Sequence, residues 1–262
     1  MFWEVLLDNL DANILVFARM LGLFIFNPIF SRRNIPTTVR VGASLLLSVF
    51  MVTNVIGQQT VPEFTTIGQF AAAIVIEGFI GFVMGFTTQM FISMLQFAGE
   101  IMDNQSGLGM SKVYDPASGI QMSIYGSVLN YLFVLYFFAV NAHLAYIKLF
   151  ALSYSVIPVG AESINLDIAN VIIQYFGVIL ELMLKLSMPI IAAQLLLEFC
   201  VGILMKAVPQ IQVMVVNIQL KLIFGLLLIM LIITPVSEFI EKLIWTMIEA
   251  VEDMLPIIAA QT

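Results

Sequence analysis

Charge is scarce in this sequence: 10 Lys+Arg and 17 Asp+Glu stand among 262 residues. A soluble domain of that length carries about 65 charged side chains, so a water-soluble fold is excluded and most of the outer face must meet lipid or protein. Ten basic residues at a formal net charge of −7 cannot build the positive footprint that a nucleic acid needs. The one cysteine, Cys200, excludes an intrachain disulfide framework. The one histidine, His143, excludes a His-Glu-x-x-His metal motif, and neither metal nor cofactor is expected. No cleavable leader is expected either, because Glu4, Asp8 and Asp11 precede the first basic residue, Arg19, where a signal peptide is positive. What the chain has in abundance is apolar: 61% of it is hydrophobic, which points to one compact polytopic membrane protein of the all-α class.

Charge-free runs mark the hydrophobic segments. Residues 41–62 and 78–99 give 22 each and 116–147 gives 32, against the ~20 that cross a bilayer core. Other stretches are interrupted by charge: 11–30 by Arg19, 64–99 by Glu77, 168–197 by Glu181 and Lys185, and 207–237 by Lys221. About six hydrophobic helical segments are expected, joined by loops at 31–40, 57–66, 100–121, 153–167 and 198–210, with an acidic amphipathic tail over 238–253. Lys and Arg near the ends put the loop of Arg32, Arg33 and Arg40 on the cytoplasmic side and both termini on the other. Pro189 and Pro235 should bend or stop their helices.

A charge at the centre of a lipid-facing helix is unfavourable by at least ~2.5–3.5 kcal/mol, so these residues face protein or water. Glu181 and Lys185 are four apart, in the order that favours a pair on one helix face; mutual pairing and an inter-subunit contact both fit. Arg19, Glu77 and Lys221 have no such local partner, and pairing with another segment or another chain is expected of them before any catalytic or transport role. Gly81-x-x-x-Gly85, with Gly78 nearby, is the small-residue spacing that lets helix backbones approach closely.

Catalysis finds little to work with. A serine intramembrane protease needs a strained serine turn and a histidine base, and an aspartyl one needs two carboxylates sharing a proton. Neither arrangement is present, and Tyr114-Asp115 stands alone before Pro116. No enzyme is expected. His143, beside Asn141, reads as a helix-end histidine. An ion-coupled secondary transporter is the main rival, since buried charges and Pro-broken helices serve such carriers; no inverted repeat supports it.

The segment after Glu100 departs from the rest. Gly107, Gly109 and Gly119 permit unusual backbone angles, and Asp115-Pro116 favours a turn. Two readings fit: a solvated connector, or a shaped segment that inserts into a pore, where non-helical backbone is tolerated when buried in protein.

These residues resemble the FliR/SctT family of type III secretion export-gate subunits. The resemblance rests on Arg19, Pro28, Ile35-Pro36 and Arg40; on Glu77-x-x-x-Gly81-x-x-x-Gly85; and most densely on Ala98-Gly99-Glu100-Ile101-Met102-Asp103-x-Gln105-x-Gly107-x-Gly109-Met110. It continues through Asp115-Pro116-x-Ser118-Gly119, Asn141-x-His143, Ser153 and Pro158-x-Gly160 to Pro209-Gln210, Lys221 and Gly225. It implies a non-enzymatic subunit, lodged with FliP and FliQ subunits in a helical hetero-oligomer that forms the mouth of an export channel for unfolded proteins. FlhB and FlhA are the further partners it implies, with membrane lipid around the assembly and no nucleic acid. The implied place is the bacterial inner membrane at the flagellar basal body, raised toward the periplasm; the injectisome counterpart SctT fits the same residues. Residues 1–165 would resemble FliP, and 166–262 a FliQ hairpin with the amphipathic tail. The family's pore plug falls on 106–122, here Ser106, Gly107, Leu108, Gly109, Met110, Ser111, Lys112, Val113, Tyr114, Asp115 and Pro116, with Gly119 and Met122. Arg19, Glu77, Glu181, Lys185, Lys206 and Lys221 would be charges at subunit contacts. Lys206 stands where the family often has arginine, so a bidentate contact becomes a simpler ion pair.

Overall fold

The computed structural model describes residues 10–31, 35–56, 62, 64–109, 113–115, 120–161, 163–207 and 213–259. Helices dominate: α1 Leu10–Phe26, α2 Thr37–Met51 with a π turn at Val52–Ile56, α3 Ile67–Gln105, α4 Ile124–Ala139, α5 Ala142–Val156, α6 Ile168–Ala207 and α7 Val213–Ala259. The exception is an antiparallel pair, β1 Val113–Asp115 and β2 Ile120–Met122, in the register Val113↔Met122, Tyr114↔Gln121 and Asp115↔Ile120. The chain is an all-α polytopic membrane protein, and its described residues include this one short antiparallel pair.

Among the described residues, four helical stretches are long and apolar enough to cross a membrane: Thr37–Val55, Ile67–Gln105, Ile168–Ala207 and Asn217–Ala259; the broken pair α4 and α5 makes a fifth if it counts as one span. The expected run over 116–147 is therefore not one helix. It breaks at Asn141, which holds a left-handed φ of 58°, a conformation asparagine tolerates better than most residues. Two expected loops are corrected as well. Glu100 to Gln105 and Glu198 to Ala207 are helical turns of α3 and α6, because a charged residue with a protein-side partner can stay inside a helix. Neither Pro189 nor Pro235 stops its helix, and the acidic tail is the last part of α7.

The chain packs as two compact units. The first gathers Met1–Phe91, Asn141–Phe176 and Trp245–Thr262; the second gathers Ile92–Val140 and Gly177–Ile244. Both draw on residues from either side of 165.

In the first unit α1 and α3 lie backbone to backbone. A Cβ on Gly81 would fall on the Arg19 carbonyl oxygen, one on Gly22 would strike the Gly78 carbonyl, and one on Gly85 would come within 2.9 Å of the Leu23 carbonyl. The Gly81-x-x-x-Gly85 spacing therefore does what small residues do in membrane helices. Leu15, Val16, Met20 and Leu23 fill the buried face of α1. A polar cluster sits among them: Tyr146 Oη accepts from Asn27 Nδ2 at 2.7 Å and lies 2.5 Å from Thr88 Oγ1. The end of α7 closes this unit, Thr87 Oγ1 donating to Met254 Sδ at 3.2 Å and Tyr175 Oη to Asp253 at 3.0 Å.

In the second unit α3 meets the start of α4, and again glycines permit it. A Cβ on Gly99 would overlap the Gly126 backbone. Ser123 caps α4, its side chain accepting from the Gly126 amide at 2.8 Å, as an N-cap serine does.

Candidate functional site

The close approach of α1 and α3 brings Arg19 to Glu77. Arg19 Nε donates to Glu77 Oε2 at 2.6 Å and Nη2 to Oε1 at 3.2 Å, the bidentate fork that suits a planar guanidinium. The remaining donors are used too: Nη1 reaches the Ser153 carbonyl at 2.9 Å, and Nη2 the Ile157 carbonyl at 3.1 Å. The Gly160 amide, at a φ of 84°, donates to Glu77 Oε1 at 2.9 Å. Tyr154 presents its ring to the guanidinium, 4.3 Å from Cζ. A buried pair this fully hydrogen-bonded is a fold determinant, tying α1, α3, α5 and the segment after α5 together. Arg19 and Glu77 are 1% and 0% exposed and each is the other's partner, so of the two kinds of pairing expected of them the one with another segment of the same chain is found, and the subunit contact is not where this pair meets its partner.

The remaining expected interface charges behave differently. Lys221 pairs with Glu198 within the second unit. Glu181 and Lys185 form the i,i+4 pair at 2.6 Å, with side chains 64% and 63% exposed. Lys206 is exposed in the last turn of α6.

The segment after α3 leaves the helix and holds the β1–β2 pair among the described residues. Its frame is built by one residue, Asp103. The Leu108 amide returns to the Asp103 carbonyl at 2.9 Å across Gly107, whose φ is 76°. That is the left-handed helix end that glycine favours. The Asp103 carboxylate meanwhile accepts from the Ile124 amide at 2.6 Å and the Tyr125 amide at 3.1 Å, where the unpaired amides and dipole of a helix N-terminus attract an acid. Main-chain and side-chain oxygens of one buried residue thus hold the chain entering the segment and the chain leaving it. Leu108 is buried, and four residues separate the paired strands.

Of the expected plug residues, Ser106, Gly107, Leu108 and Gly109 are described in full, and Val113, Tyr114, Asp115 and Met122 by their backbone in the hairpin. Met110, Ser111, Lys112, Pro116 and Gly119 lie outside the described residues, as do Arg32, Arg33, Ser118, Pro209 and Gln210. Among the described residues, no group of three His, Cys, Asp or Glu could hold a metal ion. His143 is the second residue of α5.

The family model for bacterial export proteins, family 1, matches residues 10–247. The chain belongs to this family. It is similar to the flagellar biosynthetic protein FliR of Escherichia coli (strain K12), 29% identical over 243 residues that make up 92% of each chain. It is similar also to the flagellar biosynthetic protein FliR of Bacillus subtilis (strain 168), 25% identical over 256 residues, 97% of this chain and 98% of the relative. A third such FliR, from Pectobacterium carotovorum subsp. carotovorum, is 28% identical over 239 residues.

For a bacterial export protein the residues that reading the sequence left out are instructive. Asp103 is visible in the sequence only as part of the resemblance, and Tyr125, whose amide it holds, carries no mark at all. The signal that could have found Asp103 is a carboxylate placed ahead of a glycine stop, with a Ser-x-x-Gly cap resuming the next helix.

Proposed function

We propose that the chain is a non-enzymatic subunit of the flagellar type III protein export apparatus, forming with FliP and FliQ subunits the mouth of the channel through which unfolded flagellar proteins leave the cell. Family membership and three FliR relatives aligned over nine-tenths of the chain support this reading. FlhB and FlhA are the neighbours it implies, and the inner membrane at the basal body, raised toward the periplasm, is the place. Within the subunit, residues 1–165 take the FliP-like part and 166–262 the FliQ-like hairpin.

The observation that carries the mechanism is the framed segment over 106–122. A plug in a protein-sized pore must hold a fixed shape when closed and still be able to leave as a body. A segment whose two ends are clamped by Asp103 and whose middle pairs as a hairpin meets both demands. Backbone without helical bonding is tolerated at membrane depth where protein surrounds it, and that is the position the plug reading gives it. The exposed Glu181–Lys185 pair on α6 fits a face covered by a neighbouring subunit, since a solvent-exposed ion pair is unfavourable against acyl chains.

The test is to shorten the segment between Gly109 and Ser123 in the assembled complex and measure conductance in planar bilayers. The shortened complex is expected to assemble and to leak ions. Unchanged conductance in a fully assembled complex would reduce the segment to a connector.

A further inference from the structure

At the base of the same segment, four elements of the second unit meet at one buried polar node. Ser106 follows α3, Tyr125 opens α4, Gln194 lies on α6 and Gly225 on α7. Gln194 Nε2 donates to Ser106 Oγ at 3.3 Å and to the Lys221 carbonyl at 3.2 Å, while Ser106 Oγ donates to Tyr125 Oη at 3.4 Å. Gly225 provides the room. A Cβ there would stand 2.8 Å from Tyr125 Oη, 3.1 Å from Ser106 Oγ and 3.2 Å from Gln194 Nε2. All three polar side chains are buried.

Two features set this node apart from the Asp103 clamp. The clamp joins the two ends of the segment to each other, so it travels with the segment if that moves as a body. The node joins those ends to α6 and α7, so any such movement must part it. The node is also incompletely satisfied: Gln194 Oε1 is buried and has no hydrogen-bond partner. A buried acceptor left without a donor disfavours the closed arrangement, and water would satisfy it once the node parts. Its bonds lie at the long end of the hydrogen-bond range. These features favour ready opening, in contrast to the charge-assisted bonds that the Asp103 carboxylate accepts.

We infer that Ser106, Tyr125 and Gln194, gathered in the space left by Gly225, form a latch that holds the base of the 106–122 segment against α6 and α7 and parts each time the channel opens. Gln194 is the positioning residue of this latch. The inference rests on the plug reading, and deepens it by assigning where the plug is held.

The geometry supplies a reversible lock. Across a disulfide, a Cβ stands about 3 Å from the partner sulfur, and the 3.1 Å from a Cβ on residue 225 to Ser106 Oγ matches it. In a Cys200→Ser background, Ser106→Cys with Gly225→Cys in the assembled complex should cross-link on oxidation. Secretion of flagellar subunits should then be lost, and reduction should restore it. A quantitative cross-link with normal secretion overturns the latch. So does an assembled complex in which the two thiols never join under oxidant.

Ser106→Ala provides a second arm that adds no bulk. Without the hydroxyl the node loses its central atom, and ion leakage through the assembled complex is expected to rise; leakage equal to the parent's overturns the inference. Failure of the plug reading looks different, because a shortened segment then leaves conductance unchanged whatever the lock does.

Discussion

Arg19 and Glu77, 58 residues apart, form a bidentate ion pair with both side chains sealed from solvent. The pair sits one helical turn from Gly81, where α1 and α3 touch through their backbones. Sequence spacing, close approach and charge pairing are therefore one device: the glycines set the distance and the ion pair sets the register.

The first prediction follows from that device. Arg19→Leu or Glu77→Leu leaves the partner charge buried and uncompensated, and each single change should destabilise the subunit by about 3–5 kcal/mol. The double change should be less damaging than the sum of the two, because no orphan charge remains. A double-mutant cycle on the thermal stability of the detergent-solubilised complex measures this. Strictly additive effects would mean that the two side chains do not act as a pair. Arg19→Lys should fall between parent and Arg19→Leu, since an ammonium keeps the charge and cannot reach the carboxylate, Ser153 and Ile157 together.

The sequence made the class of the fold legible and parts of the site obscure, for physical reasons. Scarce charge and long apolar runs follow from the bilayer, and they identified the membrane helices at their centres. Their ends were misjudged wherever a charge had a partner inside the protein. Glu198, treated as the start of a loop, lies inside α6 and pairs with Lys221; Asp103, treated as loop, lies inside α3 and caps another helix. Asn141 interrupts a run of 32 uncharged residues with a single backbone angle, which hydropathy does not register. Gly107 was readable as a place of unusual backbone, and the structure has it there. Gln194 was not readable, because one amide in a helix gains meaning only from the serine and tyrosine that long-range packing brings to it.

A second prediction separates glycines that make contacts from those that do not. Gly81→Ala would drive a methyl group into the Arg19 carbonyl, which is backbone and cannot swing aside. The helices would have to separate, loosening the ion pair as well. Gly68 on α3 has nothing within 4 Å of its Cβ position, so Gly68→Ala should be neutral or stabilising by up to ~1 kcal/mol from helix propensity alone. Yields of folded complex for the two variants, compared under identical expression, check the contrast. Equal tolerance of both would sink the backbone-contact account.

Asp103 supports a third. Asp103→Ala removes the acceptor for two amides at the start of α4 while leaving the Asp103 backbone bond to Leu108 possible, and loss of such a cap is worth about 0.5–2 kcal/mol. Hydrogen exchange should accelerate at Ile124 and Tyr125 first, and the Leu108 amide should follow only if the two ends are coupled. Asp103→Asn keeps one acceptor oxygen and should exchange at intermediate rates. Unaltered exchange at Ile124 in Asp103→Ala would remove the clamp from the account of this segment.

The last prediction concerns the faces that the isolated chain leaves open. In the most apolar stretches of α6 and α7 only 17% of residues are buried, against 44% in α3. Phe199, Ile203, Leu227, Met230 and Leu231 are among the large side chains left exposed. Lipid could cover apolar side chains alone. It could not comfortably cover the ion pair of Glu181 and Lys185 on the same helix α6, because its charges would leave water without the fixed protein dipoles that compensate them. Both helices also reach well beyond ~20 residues, so part of their length lies outside a bilayer core where apolar surface needs a protein cover. Expressed alone in mild detergent, the chain should therefore aggregate, and co-expression with FliP-like and FliQ-like subunits should yield a monodisperse complex of higher thermal stability, as mass action on a binding-coupled fold requires. Replacing Glu181 and Lys185 together by leucine should improve the behaviour of the lone chain in lipid and weaken the complex. A stable, monodisperse lone chain, unaffected by its partners, would count against a subunit built to be covered.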